Sequence, residues 1–139
     1  MKLDAIPVVA VSAPGPHAAL TGNAGVVLRE IAEKVRMLVD AGEASTIDLL
    51  AMPLSAADLA WLHERLGVGE VRITLDAEGE SSLNETSCPG VWWVTHHNAQ
   101  GGVASAFIEV AVVPELAKAP IDDVAAGLDR LDLLISDLS

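Results

Sequence analysis

The chain has little of several residue types, and each scarcity excludes a class of protein. It contains no tyrosine, one phenylalanine and a single cysteine, Cys88, among 139 residues. One cysteine cannot form an internal disulfide or supply a thiolate-rich metal site, and its scarcity agrees with a reducing compartment. No apolar run approaches the roughly 18–20 residues of a membrane-spanning helix, and the N-terminus makes a poor secretory signal. We therefore expect a cytoplasmic protein without membrane insertion.

Basic residues are also scarce. Eight lysines and arginines stand against twenty acids, for a net charge of -12. Such a chain repels nucleic acid and anionic lipid at long range, whereas a basic protein surface would be attracted to it. Hydrophobic residues make up 51% of the sequence, which indicates a folded chain. We expect residues 1–139 to form a single domain that does not bind nucleic acid.

The first half of the sequence predicts an arm, two helices and an edge strand. Residues 1–20 form an apolar N-terminal arm or strand and a loop in this prediction. An amphipathic helix follows over residues 23–41, and residues 47–52 read as an edge strand. Ser55 and Asp58 have the form of an N-terminal capping arrangement, which opens a second helix.

The second half predicts strands followed by a closing helix. Residues 70–76 alternate between apolar and polar side chains, as a half-buried strand does. Two longer strands around residues 83–97 and 103–113 flank a loop at 98–102. The helix at 120–138 carries apolar residues at alternating three and four spacing, and we expect it to pack on the sheet. The fold class is therefore α+β, an antiparallel β-meander of about three to four strands packed against helices on one face.

The two faces of the central hairpin are predicted from its loop. Symmetric closure of residues 98–102 would place Trp92 opposite Ile108, and these two side chains would lie under the helices. The opposite face would carry Val91, Trp93, Phe107 and Glu109. This mixed aromatic and acidic face, with Glu85 beside it, is a candidate protein-binding surface. Coverage by another helix or by a second copy of the chain remains an alternative.

Several special residues fit structural roles. Regular alternation through Pro89 would divide the apolar residues between the two faces, so we predict a bulge or sharp bend at Cys88-Pro89-Gly90. Gly67 and Gly69 form a helix stop and a strand entry, because they precede a strand and do not open a helix as a phosphate loop would. Together with Trp92 these residues form the predicted structural motif.

Catalytic and metal-binding interpretations have less support. Cys88 is read as a small buried hydrophobe, with a nucleophilic or redox thiol as the alternative. His96 and His97 are adjacent on a strand and point to opposite faces, so they cannot chelate one ion. Glu85 and Glu109 do not define a catalytic pair by sequence alone. We expect no catalytic residues, no metal and no cofactor.

In order and spacing, several segments together resemble the hydrogenase expression/formation protein family of the HupH/HyaF type. The resemblance covers about residues 45–115 and fits the C-terminal conserved module of longer members. It is carried by Ile47-Asp48-Leu49, Met52-Pro53-Leu54-Ser55, Leu66-Gly67-Val68-Gly69-Glu70-Val71, Asn84-Glu85-Thr86, Pro89-Gly90-Val91-Trp92-Trp93-Val94, Phe107-Ile108-Glu109-Val110 and Val113-Pro114. The family commonly has aromatic or apolar residues near the position of Cys88-Pro89, where this chain has a Cys-Pro step.

This resemblance implies an accessory role, without enzymatic activity, in the maturation of [NiFe] uptake hydrogenase. The implied partner is a hydrogenase subunit precursor, in particular the small subunit, or another maturation protein. A homodimer through the Trp93, Phe107 and Glu109 face is a further expectation. Two alternatives stay open: a small thiol-dependent enzyme or metal carrier centred on Cys88, and a structural subunit of a complex.

Overall fold

Ten elements make up the fold in a computed structural model that describes residues 19–76 and 79–138. The predicted N-terminal arm therefore lies almost wholly outside the described residues. In chain order the elements are α1 (Asn23–Ala41), β1 (Ser45–Asp48), a 3-10 turn (Leu49–Ala51), α2 (Ala56–Leu66), β2 (Arg72–Asp76), β3 (Glu80–Glu85), β4 (Val91–His97), β5 (Val103–Val110), a second 3-10 turn (Glu115–Ala117) and α3 (Ile121–Ser136).

The five strands form one antiparallel sheet in the order β1-β5-β4-β3-β2. Strands β2 to β5 are a meander in which each strand pairs with the next, while β1 joins the far side of β5. The predicted α+β class is confirmed, with one or two strands more than expected. The extra strands arise because the predicted strand around residues 83–97 is in fact two strands, β3 and β4, and because β1 joins the same sheet.

The inner face of the sheet lies under α1 and α2. Both helices present one apolar side, as their sequence spacing predicts. Their buried residues and those of β1, the first 3-10 turn, β4 and β5 form one core cluster: Ala24, Val27, Ile31, Ile47, Leu49, Leu62, Leu66, Val91, Ile108 and Val110. This cluster joins the helices to the sheet.

The outer face carries a second, smaller cluster. Leu83, Trp92 and Val94 are buried in it, and Ile73, Leu75 and Phe107 pack around them partly exposed. No residue of a described helix belongs to this cluster. Within residues 19–76 and 79–138, α1 and α2 thus pack on one side of the sheet only, as predicted.

The predicted pairing of the central hairpin is wrong by one residue. Trp92 lies opposite Glu109, Trp93 opposite Ile108 and Val94 opposite Phe107. The pairing of His97 with Val103 is the one that symmetric closure gives, but His96 pairs with Ser105, which leaves Ala104 as an extra residue. This bulge shifts the rest of the ladder by one position. Because side chains alternate along a strand, the shift exchanges the two faces of β4 relative to the prediction.

The predicted bulge at Cys88-Pro89-Gly90 is also wrong, because the chain reverses there. Residues 86–90 connect β3 to β4 as a hairpin loop, and the amide of Val91 donates to the carbonyl of Cys88 across a tight turn. Gly90 has a φ of 88°, a left-handed conformation that suits glycine. The Pro-Gly step was correctly read as an interruption, but it separates two paired strands.

The predicted cap at the start of α2 is confirmed, and it also connects this helix to α1. The side chain of Ser55 accepts from the amide of Asp58, and the Asp58 carboxylate accepts in return from the amide of Ser55. Asp58 also accepts from the amide and the hydroxyl of Thr21, just before α1. One buried carboxylate therefore fastens the start of α1 to the start of α2. The N-cap residue of α1 is Gly22, which makes no side-chain cap.

The C-terminal helix does not pack on the sheet as predicted. Residues 121–138 are all exposed, although they include eight leucine, isoleucine and valine side chains, six of them at the spacing of an apolar stripe. By contrast, α1 and α2 each bury several residues. The helix forms where the sequence predicts it, but its apolar side faces no described part of the chain.

We predict that replacing Gly69 with alanine destabilises the fold by about 1–3 kcal/mol, as overpacking commonly does. A Cβ at this position would lie 2.3 Å from the carbonyl oxygen of Thr86, so the connection between α2 and β2 must move away from the β3–β4 loop. That movement strains the hydrogen bond from the Gly69 amide to Glu85. Urea denaturation measures the loss.

The matched control for this experiment is Gly25→Ala in α1, where a Cβ meets no atom within 4 Å. This variant should be as stable as the wild type or slightly more stable, because alanine favours helix. Equal stability of Gly69→Ala and Gly25→Ala would contradict the close approach at Gly69.

Candidate interaction site

The outer face is built around two fully buried side chains, Leu83 and Val94, that lie opposite each other on β3 and β4. Trp92 lies beside them, and its indole N–H donates to the carbonyl of Ala111 at 3.0 Å. This bond satisfies the polar end of the ring, so the indole packs in one fixed orientation. Phe107 from β5 then extends the apolar surface and remains partly exposed.

A histidine borders this surface. The ring of His96 lies 5.6 Å from that of Phe107, centroid to centroid, and its Nδ1 lies 2.6 Å from the hydroxyl of Ser81. Both groups are partly buried. The pair gives the apolar surface a polar edge on the side of the 98–102 loop.

Carboxylates border the other end. Asp48 lies opposite Phe107 across β1 and β5, Glu109 lies opposite Trp92, and Glu85 lies opposite Trp92 from β3. Paired residues share a face, so all three acids lie on the outer side. Glu109 is buried, and its carboxylate accepts from the amide of Glu115 at 2.9 Å. It fastens the second 3-10 turn to the sheet.

The five residues predicted for protein binding therefore do not share one surface. Phe107, Glu109 and Glu85 lie on the outer face, whereas Val91 and Trp93 lie on the inner face with Ile108. The assignment of Val91 and Trp93 to the face away from the helices is wrong, because the Ala104 bulge shifts the register. Val91 is buried in the helix–sheet core.

Trp93 instead belongs to the contact between sheet and α2. Its ring meets the ring of His63 edge to face, with centroids 5.0 Å apart, and it packs partly buried against the inner core. On the same helix the guanidinium of Arg65 stacks on Trp61 at 4.8 Å from the ring centre. The first contact joins α2 to β4, and the second lies along the surface of α2 itself.

The predicted structural residues meet at one corner. Cys88 and Pro89 lie exposed in the β3–β4 loop, so the expectation that Cys88 is buried is wrong. Thr86 shapes this loop, because its hydroxyl accepts from the amide of Cys88 and donates to the carbonyl of Val91 at 2.9 Å. Gly67 and Gly69 allow the end of α2 to approach the loop closely.

Chemistry-bearing side chains are dispersed over the described ranges. Within residues 19–76 and 79–138, no three His, Cys, Asp or Glu side chains come together as metal ligands. No helix of these ranges has both the length and the apolar character to cross a bilayer. The most extensive arrangement for recognition is the outer face, which sequence reasoning found in part. Ile73, Leu75 and Leu83 were missed as members, although the alternation of residues 70–76 already marked their strand.

The fold and its outer face define a two-layer α+β domain in which no described helix covers one face of the sheet. Residues 21–138 match the family model of the HupH hydrogenase expression protein, C-terminal conserved region. The chain therefore belongs to the HupH hydrogenase expression protein family, as its sequence resemblance predicts.

Curated relatives agree with this assignment. Hydrogenase expression/formation protein HupQ of Azotobacter chroococcum mcd 1 is 32% identical over 111 residues, 78% of this chain and 39% of the relative. HupH of Rhizobium leguminosarum bv. viciae is 31% identical over 117 residues, 84% of this chain and 42% of the relative. The chain thus spans about two fifths of the length of these relatives.

A solved structure shares the fold. Hydrogenase expression protein HupH from Thiobacillus denitrificans ATCC 25259 superposes with a TM-score of 0.82 at 56% sequence identity. The match covers 86% of this chain and 99% of that chain. The two-layer arrangement is therefore common to both proteins.

We predict that Asp58→Asn lowers the free energy of unfolding by about 1–3 kcal/mol at neutral pH. Burial alone would raise the pKa of Asp58, but the hydrogen bonds from Thr21 and Ser55 outweigh it and hold the pKa below its ordinary value. The carboxylate therefore contributes stability above its unfolded pKa of about 3.9, and loses it as pH falls through the lower native pKa.

Urea denaturation at pH 6 and at pH 3 measures this effect. The difference between wild type and Asp58→Asn should shrink at the lower pH, because pH 3 lies below the ordinary aspartate pKa and the unfolded chain then binds a proton at this residue. Asp123→Asn on the exposed helix α3 is the control and should leave both values unchanged. A constant difference at the two pH values would contradict the proposed role of the Asp58 charge.

Proposed function

We propose that the chain is a non-enzymatic accessory protein in the assembly of [NiFe] uptake hydrogenase. In this proposal it binds a hydrogenase subunit precursor, in particular the small subunit, before export from the cytoplasm. Another maturation protein is the second possible partner. The observation that carries the proposal is the outer face, an apolar cluster with no described helix over it, in a chain of this family.

The composition of the outer face supports a polypeptide partner. Phe107, Ile73 and Leu75 offer partly exposed apolar side chains on a stiff, paired sheet. A preformed apolar surface of this kind binds another chain with little cost in ordering its own backbone. Aromatic residues at the centre of such surfaces commonly contribute most of the binding energy, which makes Phe107 the residue to test.

Charge supports a basic partner segment. Asp48 is exposed and Glu85 partly exposed on the outer face, and the whole chain carries a net charge of -12. A precursor segment that combines lysine or arginine with apolar residues would meet both features of the face. Long-range attraction would also speed its association.

Binding of the purified small-subunit precursor should weaken at least tenfold in Phe107→Gln, because the substitution removes the aromatic centre of the proposed contact. Val39→Gln is the matched control, since Val39 is an exposed apolar residue on α1, on the other side of the sheet. Calorimetric titration measures both affinities, and circular dichroism checks that both variants fold. Equal affinity of Phe107→Gln and wild type would exclude the outer face as the contact.

Affinity for the same precursor should fall as sodium chloride rises from 0.05 to 0.5 M, because salt screens the attraction between the acidic chain and a basic segment. The variant Asp48→Asn should show a shallower dependence than the wild type. An affinity that does not change over this range would rule out the electrostatic part of the proposal.

The variant Cys88→Ser separates this function from a thiol mechanism. The side chain of Cys88 is exposed in the β3–β4 loop, away from the strand pairings that form the outer face. An accessory protein of the proposed kind should therefore keep its precursor affinity in Cys88→Ser, and hydrogenase maturation in cells should continue. Loss of maturation with intact precursor binding would favour the thiol-dependent alternative.

A further inference from the structure

The strongest unexplained feature of the fold is helix α3, which has an apolar side and buries nothing. Most of its apolar residues form one stripe at alternating three and four spacing, with Leu134 on the border and Leu138 continuing the spacing just past the helix end: Ile121, Val124, Leu128, Leu131, Ile135 and Leu138. Leu128 is 58% exposed, Ile135 is 61% exposed and Leu138 is 83% exposed. A water-exposed stripe of this length is unfavourable in an isolated chain.

We propose that α3 pairs with α3 of a second copy of this chain, and that the stripe is the seam of a two-helix coiled coil. The spacing repeats every seven residues, which is the period at which two helices keep the same faces in contact. The stripe alone fits a sheet as well as a helix, and the nearly uncharged positions that flank it favour a second copy of the helix.

The charges of α3 are arranged so that two copies can meet. At 3.6 residues per turn, Asp122, Asp129 and Asp137 lie on the side away from the stripe. The positions that flank the seam are Ala125, Gly127, Asp132 and Leu134, of which only Asp132 is charged. In a parallel pair Asp132 approaches Gly127 of the other copy, so no two carboxylates face each other across the seam.

The size of the seam sets the expected affinity. Burying a leucine, isoleucine or valine side chain removes roughly 60–120 Å² of apolar surface, and two copies contribute twelve stripe residues that are each only partly buried beforehand. Pairing therefore removes on the order of 1,000 Å², near the lower limit of about 1,200 Å² for stable interfaces. We expect a dimer whose population depends on protein concentration in the micromolar range.

This pairing is independent of the proposed hydrogenase role, because the outer face and α3 are separate surfaces. It also differs from the homodimer that the sequence predicted through Trp93, Phe107 and Glu109. These three residues do not form one surface, because Trp93 lies on the inner side of the sheet and the other two lie on the outer side. The two ideas can therefore fail separately.

Sedimentation equilibrium of the purified chain from 1 to 300 µM should show a monomer–dimer equilibrium. Leu128→Asp places a charge in the seam and should weaken dimerisation at least a hundredfold. Leu133→Asp is the matched control on the same helix, because Leu133 is 65% exposed and lies about 180° from the stripe. It adds the same charge and should dimerise like the wild type.

Salt gives a second readout that separates a second copy from a basic partner. Two chains of charge -12 repel, so dimerisation should be unchanged or stronger at 0.5 M than at 0.05 M sodium chloride. A wild type that stays monomeric at 300 µM would overturn the proposal. So would a dimer that persists in Leu128→Asp, dissociates in Leu133→Asp, or weakens as salt rises.

Discussion

The pairing of β4 with β5 is the constraint on which the rest of the structure depends. Because of this pairing, Val91 and Trp93 face the helices, whereas Trp92 and Phe107 lie on the outer face of the sheet. The inner core, the outer cluster and the position of Glu109 all follow from this one register. The register in turn depends on a single extra residue, Ala104, beside the 98–102 loop.

Local features of the fold could be predicted from the sequence because their causes are local. The capping box of Ser55 and Asp58 and the alternation of β2 are each set by neighbouring residues. The faces of the central hairpin could not be predicted, because they depend on whether Ala104 bulges next to the glycine-containing loop at 98–102. The side chain of Asn98 accepts hydrogen bonds from the amides of Gln100 and Gly102 across this loop, but the loop sequence does not predict the bulge beside it.

The residues of the candidate site were predicted only in part, because the faces of β4 depend on the same register. Phe107 and Glu109 were assigned to the correct side of the sheet, with Glu85 beside them, because the alternation of β5 is unbroken from Ser105 onward. Family membership, by contrast, follows from the order of several short segments and does not need the register. The exposure of α3 could not be read from its sequence either, because an apolar stripe looks the same whether its partner is a sheet or another chain.

The Ala104 bulge makes this hairpin unequally sensitive to different kinds of mutation. Exchanging one side chain for another alters a single contact, and the neighbouring pairs persist. Removing one codon between His97 and Ser105 would instead turn the remaining length of β5 over, sending Ile108 to water and Phe107 toward the helices. Variation in length at this corner is therefore far more disruptive than variation in identity, and natural or engineered insertions are better accommodated at other loops.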